Sequence, residues 1–478
     1  MTATEPHVDT DVLVVGAGIT GLQSALDLAD LGYEVLLVDR DPSIGGKMIG
    51  LSKVFPTMDC ASCITTPRMS AAAHHENITT WTYTEVDRIV PQHAGETPDP
   101  GFVAHLTRKP RYVSEDLCIG CRLCEYACPV DLPHEFEGNI GARRAAYIPF
   151  GTAIPQKALI DIDACIYCGK CEKACPTDAI DFGQEPVGVE VRARSVVLAT
   201  GYQTTPLEAK KEYSGGRAAN VIGGLEMERL LAPNGPYGRV LRPSDGKIPD
   251  SVAYVQCAGS RDETLGVPYC SRVCCMYAIK QSMLLSGSLP LADITVYYMD
   301  IRAFGKGYEQ FFQTARSMGI GFVKAKVARI EEEANGDLRL RVEMIEEDGR
   351  VAEPVHDLVV LSVGLKPGDD PRRYIGVALD QYGFVASPDP KLDATLTSLP
   401  GVVAAGTAIG PKDIVDSIVE ASAAATKLAI YLGPPARSPA PTDDGLEVEV
   451  REIDAAAAMA VVAPSPVGPA SQTEVTRG

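Results

Sequence analysis

The sequence predicts an α/β chain with two dinucleotide-type strand–helix–strand units and a small cysteine-rich α+β module inserted in the first. Three features carry this expectation. A β-branched run, Asp11-Val-Leu-Val-Val15, leads into Gly16-Ala-Gly-Ile-Thr-Gly21 and then a helical stretch. A second strand–helix–strand pattern begins at Ser251. Between them lie two runs of the form C-x-x-C-x-x-C-x-x-x-C-P.

In the first unit, Leu22 to Leu31 has helical periodicity, Gly32 ends the helix, and Tyr33 to Val38 reads as the next strand. A G-x-G-x-x-G is credible only in this context, between a strand and a helix. Gly16 permits the tight turn, Gly18 lets backbone approach a pyrophosphate, and Gly21 lets helix pack on strand. The anion then sits on the helix N-terminus. Asp39 lies 23 residues after Gly16, close to the spacing for a ribose hydroxyl acceptor, and Arg40 follows it. Ala199-Thr-Gly201 and Gly401-Val-Val-Ala-Ala-Gly-Thr407 match the later motifs of flavoproteins with paired dinucleotide domains. FAD is therefore the expected cofactor, with Gly16, Gly18, Gly21, Asp39, Arg40, Gly46, Lys47, Met48, Thr200, Gly201, Gly406 and Thr407 as its binding residues. A glycine-rich turn in an ordinary α/β protein is the alternative. Flavoproteins of this type carry Asp where this chain has Thr407, so a hydroxyl replaces a charge there.

From Thr79 to about Arg111 the chain reads as short strands, with a turn at Gly95-Glu-Thr-Pro-Asp-Pro-Gly101. The cysteine runs follow. Their spacing is that of bacterial ferredoxins, in which each fourth Cys ligates the other cluster. One [4Fe–4S] cluster is assigned to Cys118, Cys121, Cys124 and Cys175, the other to Cys165, Cys168, Cys171 and Cys128. Paired zinc sites are the alternative, but those use two separated C-x-x-C pairs. The linker between the runs, with Arg143 and Arg144, reads as a solvated loop or a cover for a cluster or partner surface.

Val189 to Ala199 returns to the first unit. In the second unit, strand Val252–Gln256, a helix from about Ser271 to Ser286 and strand Ile294–Tyr298 lead to Val359–Gly364. Aligned on Gly16, Gly18 and Gly21, it offers Cys257, Gly259 and Asp262, and an acid there repels a pyrophosphate. Cys257, Cys270, Cys274 and Cys275 are instead candidates for a third [4Fe–4S] cluster. A redox-active thiol set or inert buried thiols are the other readings. Cys60 and Cys63 form a C-x-x-C that reads as a flavin-facing catalytic dithiol, a source of a cluster ligand, or structural thiols. Lys47, as a cation, and the N-terminus of the helix after Gly406 are candidates for tuning the flavin. The last element is an Ala-rich helix, Ile414 to Leu432.

The resulting expected boundaries are 8–112, 184–246 and 377–432 for the FAD-binding domain and 113–183 for the ferredoxin domain. Residues 247–376 form a degenerate nicotinamide-type domain, and 433–478 a disordered Ala/Pro-rich tail. The length of 478 residues suits about three domains. A formal charge of −19 argues against nucleic acid, since phosphate would be repelled. Fourteen cysteines, eight of them in metal spacing, suit a reducing, cytoplasmic setting. Met1–Thr10 shows no signal pattern, and no apolar run reaches the 18 or more residues of a membrane span.

Gly45-Gly-Lys-Met48, Phe55-Pro-Thr-Met-Asp-Cys60, Pro67-Arg-Met69, Pro268-Tyr-Cys-Ser-Arg-Val-Cys-Cys-Met-Tyr-Ala-Ile-Lys280 and Tyr298-Met-Asp-Ile-Arg302 together resemble the A-type subunits of heterodisulfide reductase. The resemblance runs from about Asp11 to Leu432. It implies an iron–sulfur flavoprotein with a thioredoxin-reductase-like core. It further implies B- and C-type heterodisulfide reductase partners, an electron-input module, and electron bifurcation in methanogen members; a homodimer is common for such folds. Compared with the long members, the flavin fingerprint starts early, at Gly16, and no third ferredoxin run follows Leu432. Two rival functions stand beside this one: a self-contained NAD(P)H-dependent disulfide or ferredoxin reductase, and a non-catalytic electron-relay scaffold.

Overall fold

In a computed structural model, residues 7–92 and 101–435 are described. The first sheet is built on Rossmann lines. Parallel strands run in the order Ile78–Trp81, Val35–Val38, His7–Val15, Val187–Leu198 and Val402–Ala404. The central strand is apolar on both sides, as a parallel strand covered on both faces must be. Val12 and Val14 enter one core, with Leu22, Ala25 and Leu28 of helix α1 (Ile19–Asp30). Leu13 and Val15 enter the other, with Leu198 and Val402. The long C-terminal helix has the expected bounds, Ile414–Leu432, and its Ala424, Ala425 and Leu428 share the α1 core. Small alanines let the helices approach closely enough for Ser24 Oγ to donate to the Ala421 carbonyl at 3.2 Å.

The cysteine module sits at the tip of an antiparallel ribbon. Strand Phe102–Arg108 pairs with both Thr84–Pro91 and Val187–Leu198, and Arg108 stands opposite Val187. The chain thus leaves the sheet at Arg108 and re-enters directly across from it. The turn expected at 95–101 lies outside the described residues except for Gly101, and so does the expected tail beyond residue 435.

The second unit has its own sheet, in the order Val221–Gly223, Leu358–Val363, Ser251–Ala258, Asp293–Tyr298, Gly321–Glu332, Leu338–Met344 and Arg350–Ala352. Its central strand alternates in the same way: Val252 and Tyr254 face one core, Ala253 and Val255 the other. Two short strands, Tyr202–Thr204 and Leu365–Pro367, pair antiparallel where the halves of the chain meet.

The segment between the cysteine runs is not a solvated loop. Arg143 is 8% exposed, and its guanidinium bonds Glu135 at 2.7 Å and Asp161 at 2.9 Å. Strands Asp131–Pro133 and Ala142–Arg144 pair there, and the Phe136 and Phe150 rings stack at 4.5 Å. Arg229, from helix α5 (Gly224–Leu231), reaches into the segment to bond Glu137 at 2.9 Å. The charges are buried because each found an opposite partner.

Candidate functional site

The first site is a glycine cradle. Gly16 has φ +100°, and a Cβ there would lie 2.4 Å from the Ala199 carbonyl oxygen. A Cβ on Gly21 would lie 1.8 Å from the Gly16 oxygen, so Gly21 seals the helix onto the turn itself. Gly18 caps α1 with no side-chain hydrogen bond, and the first turn holds no acid. The orphan N–H groups of that turn remain available to an anion. The Asp39 carboxylate accepts from Ala17 N–H at 2.6 Å and Asp41 N–H at 2.9 Å. Burial, then the neighbouring Asp41 charge, raises Asp39 to about 6. Gly406 closes the cradle from the far side, since its Cβ would lie 2.2 Å from Thr20 Oγ1.

Gly46 packs on Gly18. It has φ +55°, and its Cβ would lie 2.8 Å from Gly18 Cα. Substituting Gly46→Ala is therefore expected to weaken FAD binding by about tenfold, from roughly 1–2 kcal/mol of backbone strain and displacement. Titrating apoprotein with FAD by fluorescence quenching measures this. Lys47 is exposed on its surface yet surrounded by protein mass, which pushes its ammonium below the usual range.

The helix expected after Gly406 differs. Gly406–Ile409 is a single 3₁₀ turn, Pro411 follows, and the long helix starts only at Ile414. Its N-terminus is already capped by Asp413, whose side chain accepts from Asp416 N–H. That cap satisfies one N–H of the first turn.

The ferredoxin module is internally duplicated in geometry as well as spacing. Helices α3 (Leu123–Ala127) and α4 (Lys170–Ala174) follow residues in the left-handed region, Arg122 at φ +64° and Gly169 at φ +67°. Two residues earlier the pattern repeats with the residue types exchanged: Gly120 at φ +70° and Tyr167 at φ +51°. Each half needs two left-handed residues and supplies one glycine. The cost of Gly169→Ala should be about 1 kcal/mol, since the Cβ would meet only Glu172 Oε2, at an ordinary 3.7 Å, and only backbone strain is added. Gly120→Ala should cost more, about 2–3 kcal/mol, because the Cβ would lie 2.6 Å from the Gln156 carbonyl. Denaturation of the two iron-loaded variants compares them.

A space of about 320 Å³ is lined by Cys128, Cys165, Cys168 and Cys171, with Pro129, Ile160 and Phe182. These four are the expected second ligand set, and Cys128 comes from the other run. Cys118 and Cys121 lie close enough to act on the Cys124 thiol, and Cys175 packs in the same core.

A separate space of about 270 Å³ holds four of the six other cysteines: Cys257, Cys270, Cys274 and Cys275. Arg261, Arg272, Arg302 and Asp300 line it too. The adjacent cysteines begin helix α6 (Cys274–Ser288), three residues later than expected, because Ser271 Oγ is engaged with Leu365 N–H and Ser260. Non-glycine residues in the left-handed region cluster here: Cys257, Arg261 and Arg272. Burial pushes the Cys274 and Cys275 thiols up, so thiolates there need a compensating positive charge. Among the described residues no three His, Cys, Asp or Glu side chains converge on a single metal ion.

Asp262 has another position than expected. It caps the 3₁₀ turn Glu263–Leu265 and pairs with Lys210 at 3.1 Å. The helix N-terminus a nucleotide would use belongs to α6 and carries thiols.

Cys60 caps helix α2 (Ala61–His74), its Sγ accepting from Cys63 N–H at 3.4 Å. Contact with the Cys63 side chain, then its backbone, holds the Cys60 thiol below the usual range. Cys63 is exposed, and neither thiol lines the four-cysteine space. The sequence reading missed the arginine rim, although Arg272 stood in the Pro268–Lys280 motif and Asp300 and Arg302 in Tyr298–Arg302.

The family described as FAD dependent oxidoreductase matches residues 11–55, and that described as 4Fe-4S dicluster domain matches 107–180. The A-type subunit of the H(2):CoB-CoM heterodisulfide,ferredoxin reductase of Methanothermobacter thermautotrophicus is 44% identical over 436 residues, 90% of this chain and 65% of that one. Its counterpart in the H(2)/formate:CoB-CoM heterodisulfide,ferredoxin reductase of Methanococcus maripaludis is 45% identical over 433 residues, 88% and 64% of the two chains. Over about nine tenths of its length this chain is a relative of the heterodisulfide reductase A-type subunits. It spans a little under two thirds of the length of those A-type relatives. It also spans 54% of the A-type subunit of the Ferredoxin:CoB-CoM heterodisulfide reductase of Methanosarcina mazei, at 42% identity over 91% of this chain. Among solved structures, this heterodisulfide reductase relative is similar to a thioredoxin reductase of T. acidophilum (TM-score 0.48, 17% identity, covering 89% of this chain and 97% of that one). A Lactococcus lactis thioredoxin reductase gives TM-score 0.49 at 14% identity, covering 88% and 99%. Among the described residues no helix is long and apolar enough to cross a membrane.

Proposed function

We propose that the chain is the flavin and iron–sulfur electron-transfer component of a heterodisulfide-reductase-like assembly. The observation that carries this reading is one glycine cradle and two four-thiol spaces in a single fold, beside the other ligand set of ferredoxin spacing. FAD, when bound, interconverts paired and single electrons, and [4Fe–4S] clusters take single electrons only.

The residues divide that work. Gly16, Gly18, Gly21 and the uncapped start of α1 receive the pyrophosphate, and Asp39 with Arg40 receives the ribose end. Gly46, Lys47 and Met48 approach from one side, Thr200 and Gly201 from another, and Gly406 and Thr407 close the cradle. Lys47 supplies a cation there. Cys118, Cys121, Cys124 and Cys175 hold one cluster, and Cys128, Cys165, Cys168 and Cys171 the other.

The third set, Cys257, Cys270, Cys274 and Cys275, holds a further cluster on this reading. A repeated turn supports it. In the ferredoxin run, Tyr167 is left-handed and donates its N–H to Cys165 Sγ at 3.4 Å. At the third set, Arg272 is left-handed and donates its N–H to Cys270 Sγ at 3.3 Å. The same two-residue step presents a thiol and an amide to the same kind of ligand. Thiols at the start of α6 also argue against a nicotinamide nucleotide there. Cys60 and Cys63 serve as a dithiol at the start of α2, with Cys63 exposed, and partners of B and C type with an electron-input module receive and deliver electrons in the cytoplasm.

Iron and acid-labile sulfide per FAD, measured on anaerobically prepared protein, test the reading. Three clusters give about twelve iron atoms per FAD and two give about eight. Protein that binds neither FAD nor iron after anaerobic reconstitution would overturn it.

A further inference from the structure

The loop from Asp39 to Met48 carries the FAD cradle from its ribose acceptor to Gly46 and Lys47. Both of its ends are tied to one residue of the glycine turn. Asp39 accepts from Ala17 N–H at 2.6 Å, and Gly45 N–H donates to the Ala17 carbonyl at 2.9 Å. The middle of the loop is held by the cysteine module instead. Arg111 donates to the Pro42 carbonyl at 2.7 Å. Ser43 Oγ accepts from Ile154 N–H at 2.9 Å and donates to the Ile154 carbonyl at 3.2 Å. That carbonyl also accepts from Ile44 N–H at 3.1 Å. Ser43 and Ile44 are buried, and Ile154 packs against the core that Ile44 shares with Ala17 and Leu22. From Ile154 the chain reaches the first cysteine run within three residues. Lys157 Nζ donates to the Cys118 carbonyl at 2.6 Å. The Gln156 carbonyl lies against Gly120, only 2.6 Å from where a Cβ would stand. Ala153 and Ala158 are buried in one core with Cys118 and Cys124. Residues 153–158 thus form a strap, fastened to the FAD loop at one end and to Cys118 and Gly120 at the other.

We infer that this strap makes FAD retention depend on iron at Cys118, Cys121, Cys124 and Cys175, with Ser43 as the positioning residue that passes the order of the strap to the FAD loop. The inference rests on the proposed FAD and first-cluster sites and adds the dependence of one on the other. Ligand bonds to iron fix the Cys118–Cys124 run, and the strap is fixed with it. A loop already ordered by one ligand costs less to order for the next. FAD therefore binds the iron-loaded chain more tightly than the iron-free chain. The strap's bond and its close approach both fall on the first run, so the first cluster rather than the second carries the effect.

The test uses the full chain, prepared anaerobically, with Cys121→Ala and Cys168→Ala. Both thiols are exposed, so the two changes differ in which cluster they remove. FAD affinity is measured by fluorescence quenching at known iron content. Cys121→Ala should weaken FAD binding by about tenfold, while Cys168→Ala should stay within about twofold of the parent. Ser43→Ala should weaken FAD binding too. It should also make that binding insensitive to a further Cys121→Ala change, because the strap is then already detached from the loop. Equal FAD affinity in Cys121→Ala and Cys168→Ala overturns the inference, and so do additive losses in the double variant. Where Cys121→Ala gives no soluble protein, the parent decides: FAD affinity is compared before and after anaerobic iron chelation, and an unchanged value overturns the inference. A parent that binds no FAD at all would overturn the flavin reading instead, so the two failures are told apart.

Discussion

Replacing Lys280 with methionine is expected to destabilise the protein by about 3–5 kcal/mol, the range for breaking a buried ion pair from one side. Lys280 is 1% exposed and Glu228 2%. The ammonium bonds Glu228 Oε1 and donates to the Lys53 carbonyl at 2.8 Å. The other carboxylate oxygen accepts from Ser52 N–H at 3.0 Å and Ser52 Oγ at 2.8 Å. Gln281 donates to the carboxylate as well. Methionine fills the space of the lysine stem but leaves Glu228 charged and without its counter-ion. The paired change Lys280→Met with Glu228→Gln should recover much of the loss, because no buried charge then remains. Chemical denaturation of the two variants measures both effects. Equal losses in the single and paired variants would show that shape, not charge, holds this joint together.

The second large effect concerns the crossed ligand sets. Cys128→Ala is expected to remove about four iron atoms per FAD, one cluster's worth. Iron should be lost from the set containing Cys165, Cys168 and Cys171, although Cys128 belongs to the first run. The reason is positional. Cys128 follows the short helix α3, and its thiol lines the same space as the second run's first three cysteines. Alkylation of the variant under native, anaerobic conditions should label Cys165, Cys168 and Cys171, while Cys118, Cys121 and Cys124 stay protected. The reverse pattern would mean that each run keeps its own fourth cysteine.

Much of this was legible in the sequence where local chemistry decides. The strand–turn–helix around Gly16 is readable because the turn itself demands glycine at φ +100°. Ile414–Leu432 is readable because alanine-rich periodicity needs no partner to be recognised. The cysteine spacing is readable because ligand geometry fixes it. What could not be read was decided by residues distant in sequence. Arg143 looks like a surface arginine until Glu135 and Asp161 are brought to it. Lys280 and Glu228 are 52 residues apart and give no sign of pairing. The start of α6 shifts to Cys274 because Ser271 is drawn to Leu365, 94 residues away. Asp262 caps a short turn that no periodicity announces.

Arg108 and Val187 face each other across one ladder, so everything between them hangs from a fixed doorway in the parent sheet. A cassette spliced at such a doorway does not have to match the host's length or period, because the ladder has already closed the loop on either side. Its wiring can be lengthened, shortened or exchanged while the host keeps its strand register. The side-chain fastenings to the host, such as Arg229–Glu137, Ser43–Ile154 and Arg111–Thr82, must then be re-tailored.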